Sequence, residues 1–270
     1  MGKPVNGRFR APQSMSQLSK GRGWNSELVG FLLPFARRDF VYYDDDFLSD
    51  TMDATLWNLD TDAGSTAFAQ GSLECGNLRG VTQNTTGDNI GIHFSYPMFD
   101  AARSPGCEVR WKVVTYTAAQ LLFEFGLWDA PTDGTLQCVT DVDTPATGNG
   151  VTDLLAIHMD GSQTFKTFAL VSDGTTPTCT KTAFPTTLIP VADKWMRMLV
   201  QCGGAGGIGA IRGETTVATG GQGWEQVSVS TGPSTGYLMQ AALMVGTLAN
   251  TARTVDIDYF RVWSERSPAA

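Results

Sequence analysis

A chain of 270 residues, 42% hydrophobic and only 17% charged, has room for one large domain and can bury roughly three quarters of its unfolded surface without disulfide or metal. Its 30 glycines and low charge, against ~25% charged residues in an average domain, suit strands and turns better than helices. No run of ~18 uninterrupted apolar residues is present, which argues against a membrane-spanning helix, and the opening MGKPVNGRFRAPQSMSQLSKGRG lacks the apolar stretch of a secretory signal.

The net charge of −8 is unevenly shared. Residues 1–38 carry Lys3, Arg8, Arg10, Lys20, Arg22, Arg37 and Arg38 against Glu27 alone, a net of +6. The remainder carries 12 basic and 26 acidic residues, a net of −14. A basic arm on an acidic body reads as an interaction tail. Up to about Arg22 the arm has no sustained period. Trp24 to Phe35 (WNSELVGFLLPF) is apolar, with room for a turn of helix that ends before Pro34. Such a patch needs a surface to sit on, either the chain's own body or a neighbour.

From Asp39 onward the texture is short β-type runs separated by turn residues. The expected strands are Ala67–Cys75, Asn89–Tyr96, Cys107–Tyr116, Gln120–Trp128, Asp153–Met159, Thr164–Val171, Lys194–Cys202, Gly207–Arg212, Tyr237–Thr247 and Thr254–Trp263. Alternation marks Ile90, Ile92, Phe94 and Tyr96 as one buried face, and Val109, Trp111 and Val113 as another. His93 then falls on the face opposite, toward solvent. Asp133-Gly134, Asp160-Gly161 and Asp173-Gly174 are hairpin signals. About ten strands at this spacing make an antiparallel two-sheet sandwich of jelly-roll type.

Chemistry-bearing patterns are sparse. The five cysteines (75, 107, 138, 179 and 202) form no CxxC pair, so reduced thiols in a protein made in a cytosol are expected. Gly204–Gly209 (GAGGIG) fits G-x-G-x-x-G in letters, but the Gly-broken, β-branched stretch after it offers no helix to meet a pyrophosphate. Two isolated histidines, His93 and His158, make no triad or three-histidine metal site. Asp44, Asp45 and Asp46 form a run, and Asp256 and Asp258 sit two apart in the last strand. Asp is disfavoured in strands, so these ask for basic neighbours, loop amides or a hard cation such as Ca²⁺. Trp111, Trp128, Trp195 and Trp263 fall in or beside strands as core residues; Trp24 and Trp224 fall in arm or loop, available to another molecule.

Two segments carry a resemblance. Asp45 to Trp57 (DDFLSDTMDATLW) resembles the opening, and Asp256 to Trp263 (DIDYFRVW) the closing strand, of concanavalin A-like lectin/glucanase jelly rolls. The resemblance implies that first and last strands are neighbours, and that a structural Ca²⁺ sits among Asp45, Asp46 and Asp258. Glucanases of that fold carry E-x-D-x-x-E on one strand. Glu27, Glu74, Glu108, Glu124, Glu214, Glu225 and Glu265 show no such spacing, so no catalytic residue is assigned and no enzyme is expected.

A long polar arm before a low-charge jelly roll also resembles the decoration, or cement, proteins of tailed-bacteriophage virions. That resemblance implies a homo-trimer on the capsid surface, synthesised in the host cytoplasm. The expected organisation is an arm over 1–44, a sandwich over 45–265 and a tail over 266–270. The arm would grip the major capsid protein through Arg8, Arg10, Arg22, Trp24, Phe31, Leu32, Phe35, Arg37 and Arg38. Its basic residues are too thinly spread for a nucleic-acid tail. The alternative reading is a glycan-binding module, on a virion or cell surface, whose partner is a host-surface glycan.

Overall fold

The structure, a computed structural model, describes residues 40–47, 52–71, 76–114, 120–129, 136–141, 146–148, 150–162, 167–174, 179–184, 190–203, 210–216, 222–229 and 231–265. All the arm residues named above, Cys75, Asp133-Gly134, the GAGGIG stretch and the tail 266–270 lie outside them.

Two antiparallel sheets face each other. In chain order the strands are β1 (Phe40–Asp45), β2 (Trp57–Thr61), β3 (Thr66–Gln70), β4 (Leu78–Val81), β5 (Asn89–Phe94), β6 (Phe99–Asp100), β7 (Gly106–Val113), β8 (Leu121–Trp128) and β9 (Val139–Asp141). They continue with β10 (Ala146–Thr147), β11 (Asp153–Asp160), β12 (Thr167–Asp173), β13 (Thr180–Ala183), β14 (Met196–Gln201), β15 (Ala210–Thr216), β16 (Gln222–Ser228), β17 (Leu238–Thr247) and β18 (Thr254–Glu265). The first sheet runs β16-β15-β14-β7-β18-β4-β3, with β1 also on β18; the second runs β13-β12-β11-β8-β17-β5-β2, with β6 also on β17. A two-stranded ribbon, β9 and β10, stands apart. Each of the ten expected strands overlaps an observed one, although residues 72–75, 115–116, 164–166 and 207–209 of those expected spans lie outside the described residues. The eight others are short or polar, as in Thr180–Ala183 (TKTA), and give little alternation to read.

First and last strands are neighbours: Phe40 to Asp45 pair with Glu265 to Phe260. Residues 40–44, assigned to the arm from sequence, therefore belong to the sandwich, because their backbone groups complete the ladder of β18. On the same side of β18, β4 pairs with residues 254–257, while β7 takes the other side.

The alternating residues meet between the sheets. Ile90, Ile92, Phe94, Val109, Trp111 and Val113 are all fully buried. Trp111 stacks on Phe123 at 4.0 Å between ring centroids; Trp57 packs against Phe260 at 4.8 Å and edge-on to Phe94 at 5.4 Å. Rings this large supply much of the apolar area that holds the sheets together. Trp128 and Trp263 are buried as expected. Trp224 departs from the loop reading, since its backbone lies in β16 opposite Glu214.

Asp160-Gly161 and Asp173-Gly174 open the β11–β12 and β12–β13 connections, which are longer than two-residue turns. Gly174 takes the left-handed φ of +74° that glycine accepts readily. The residues after GAGGIG form β15, paired with β14, so the glycine stretch links two antiparallel strands and opens no helix. Among the described residues, no helix is long and apolar enough to cross a membrane.

Candidate functional site

The aspartates singled out for calcium are engaged by protein groups. Asp45 Oδ1 accepts the Phe47 amide at 2.9 Å, and its Oδ2 accepts the Trp57 indole N–H at 2.9 Å. This is the physical content of the opening motif: one carboxylate holds Phe47 in its left-handed φ of 52° and anchors a buried tryptophan. Asp258 pairs with Arg110. Among the described residues no three metal-ligating side chains come together. Both oxygens of Asp45 and one of Asp258 are thus taken by N–H donors, a poor match to the expected Ca²⁺ site at Asp45, Asp46 and Asp258, where a cation would need those same oxygens.

The closing-strand aspartates belong instead to a charged network on the outer face of the first sheet. A bulge between Ile257 and Tyr259 shifts the register. Asp256, fully buried, takes both Arg79 Nε (2.6 Å) and Nη2 (2.8 Å), which raises the guanidinium's already high pKa. Lys112 Nζ lies 3.5 Å from Asp256 and 2.6 Å from Asp193; that hydrogen bond holds the Asp193 carboxyl below its ordinary range. Arg110 and Lys112 cover the Trp195 ring at 4.8 and 5.1 Å, so Trp195 serves this surface and not the core. Nearby, Tyr259 donates to Glu108 Oε1 (2.6 Å), and Arg261 bonds Asp44 Oδ1 (2.8 Å). Burial, then the Asp44 charge, pushes the Tyr42 phenol up. Opposite charges are paired across the strands, which stabilises this face of the sheet.

The outer face of the second sheet is closed by the chain itself. Leu136, Cys138, Val139 and Val151 lie over Trp128, Ala156, Phe168 and Met244, forming a second apolar cluster. Gly91 makes room: a Cβ there would come within 1.9 Å of Leu136 Cδ2. Glu124, fully buried on β8, fastens this cover, accepting the amides of Cys138 (2.6 Å) and Val139 (3.3 Å). His158 Nδ1 stands 3.0 Å from its Oε1. The same covering corrects His93, expected in solvent but 3% exposed; its Nδ1 lies 3.2 Å from the Phe94 carbonyl. Alternation named the face of His93 correctly, but not that this face is also packed. The thiols of Cys107, Cys138, Cys179 and Cys202 are free and buried. Burial pushes them up, Cys179 and Cys202 to about 12, which removes them from nucleophilic chemistry.

Open surface suited to a ligand gathers at one end of the sandwich. Among the described residues, four of the five exposed large apolar side chains are Tyr96 (58%), Met98, Tyr237 (53%) and Leu238. Met98 N donates to the Met239 carbonyl, and Leu238 pairs with Asp100, so the two segments lie side by side. Sequence reading placed Tyr96 in the strand alternation, whereas β5 ends at Phe94; Pro97 was the available signal. Beside them lies a cleft of about 430 Å³, lined by Val41 and Tyr43 of β1 and by Met98, Phe99, Arg103 and Ser264, with Glu265 at its wall.

No family model matches the chain, and no curated protein sequence does. Solved structures do. The VIP36 exoplasmic/lumenal domain in its Ca²⁺/Man2-bound form superposes with a TM-score of 0.52 at 11% identity, over 85% of this chain and 89% of that one. Peanut lectin gives 0.52 at 9% identity, over 85% and 99%. An endo-1,3-beta-glucanase from Streptomyces sioyaensis gives 0.51 at 15% identity, over 85% and 97%. The chain has the concanavalin A-like lectin/glucanase jelly-roll fold.

Proposed function

We propose that this chain is a non-catalytic, glycan-binding jelly-roll module whose sugar contacts are made by Tyr96 and Tyr237. The observation that carries this reading is that, among the described residues, four of the five exposed large apolar side chains belong to the adjoining segments 96–98 and 237–238. Exposed apolar patches of this kind mark binding surfaces. A tyrosine offers a ring for the C–H face of a sugar and a hydroxyl for its oxygens. Lectins among the structural neighbours support the reading at the level of fold.

The absence of catalysis rests on the carboxylates. A glycosidase needs two carboxyl groups ~5–9.5 Å apart across an open cleft. Among the described residues, Glu124 is tied to the cover and Glu108 to Tyr259, and the cleft holds a single carboxylate, Glu265. Glycan-array binding by the full chain, lost in Tyr96→Ala and Tyr237→Ala, is expected. Binding unchanged in both variants, or release of reducing sugar that a carboxylate substitution abolishes, overturns the proposal.

A second reading is favoured by the charge division alone. An arm of +6 on a body of −14 suits attachment to an oppositely patterned surface, as in a trimeric capsid decoration protein held on the coat lattice by residues 1–38. Mass spectrometry of purified virions, with hundreds of copies per particle expected, tests it; absence from particles refutes it.

A further inference from the structure

We infer that the cleft beside β1 is the seat of the chain's own segment Phe31–Phe35, folded back onto the sandwich from which it emerges. The cleft is lined from both sheets: Val41, Tyr43 and Ser264 come from the first, and Phe99 from β6 of the second, with Met98 just before β6 and Arg103 in the turn after it. Its size falls within the ~300–1,000 Å³ typical of clefts that hold a ligand. Met98 stands 39% exposed on its wall, and among the described residues β1 pairs with β18 alone.

The occupant follows from where the chain leaves the structure. Described residues begin at Phe40, directly opposite Glu265 on β18, and both Val41 and Glu265 line the cleft. Only residues 36–39 separate Phe40 from the apolar run Phe31, Leu32, Leu33 and Phe35. At ~3.6 Å per residue, the Cα of Phe35 lies within about 18 Å of that of Phe40. A segment tethered this closely meets the cleft at a millimolar effective concentration, ahead of any free partner. Charge agrees, since Arg37 and Arg38 precede by two or three positions the residue paired with Glu265, on a body that carries the protein's negative excess. The cleft shares Met98 with the proposed sugar-binding surface but includes neither Tyr96 nor Tyr237, so loss of glycan binding in the tyrosine variants and failure of the crosslink remain distinguishable outcomes.

The test uses the full chain with a benzophenone side chain in place of Leu32, irradiated as an equal mixture of light- and heavy-isotope protein. The expected product is a crosslink within one chain, from position 32 to a peptide containing Val41–Tyr43 or Met98–Arg103. As a second measurement, the triple variant Phe31→Ser, Leu32→Ser, Phe35→Ser should exchange its 98–103 amide hydrogens at least tenfold faster than the parent, with the β8 and β17 amides unchanged. Crosslinks joining light to heavy chains overturn the assignment in favour of a second copy. Absence of crosslinks to the cleft, with unaltered exchange, overturns it altogether and leaves the arm to an external partner.

Discussion

Replacing Asp45 by alanine separates the hydrogen-bonding account of the opening motif from a calcium account. The carboxylate serves two donors, the Phe47 amide and the indole of Trp57, which is 1% exposed and packed on Phe94 and Phe260. A hydrogen bond to a charged acceptor contributes about 1.5–3 kcal/mol, and a buried donor left without a partner costs a similar amount. Asp45 is itself only half-buried, so the low end applies to each bond and Asp45→Ala should cost about 3 kcal/mol. For a domain of this size that lowers Tm by about 6–12 °C. Asp45→Asn keeps one acceptor oxygen and should lose about half as much. The assay is thermal unfolding followed by circular dichroism, with chelator, without it, and with added Ca²⁺. The parent protein should be indifferent to chelator, and the variant's deficit should be the same in all three solutions. A calcium ion bound at a hundredfold excess over its Kd would itself contribute about 2.7 kcal/mol. A fall of several degrees in the parent on chelation, with no such response in Asp45→Ala, would refute the reasoning.

Glu124→Gln should loosen the cover over the second sheet, because one amide oxygen cannot accept both the Cys138 and Val139 N–H groups as well as His158. The expected loss is about 1–3 kcal/mol, with faster hydrogen exchange confined to residues 136–148 as the diagnostic. Gly91→Ala should cost about 1–3 kcal/mol by overpacking against Leu136. Unfolding of the Gly91→Ala/Leu136→Ala double variant should then show a smaller total loss than the two single losses added. Burial, together with the Asp60 and Asp88 charges, holds the Asp62 carboxyl above its ordinary range. A carboxyl so raised destabilises the fold when ionised, so its cost appears as pH rises from the unfolded value through the raised one. Asp62→Asn should therefore be more stable than the parent at neutral pH and equal to it near pH 3; a difference that persists in acid would contradict that sign.

Much of the fold was legible because it depends on local regularities. Alternating residues such as Ile90, Ile92 and Phe94 declare a buried face wherever that strand packs, and the charge division between arm and body is a matter of counting. The chain ends of the sandwich were legible too, since Asp45–Trp57 and Asp256–Trp263 carry a shared pattern. What the aspartates in those patterns bind was not. Asp45 reaches an indole 12 residues away, and Asp256 and Asp258 reach arginines 177 and 148 positions away. A cation, an amide and a guanidinium satisfy the same oxygens, so residue type alone leaves the choice open. Tertiary structure also decided the second face of the second sheet. Period-two alternation separates the two faces of a strand but does not say whether one or both are covered. Here Leu136, Cys138, Val139 and Val151 cover the second, and His93, His158 and Glu124 on that face are buried. Tyr96 and Tyr237, 141 positions apart in the chain, lie in segments that run side by side because β6 pairs with the start of β17. No local pattern encodes such a pairing; it follows from the register of the whole sheet.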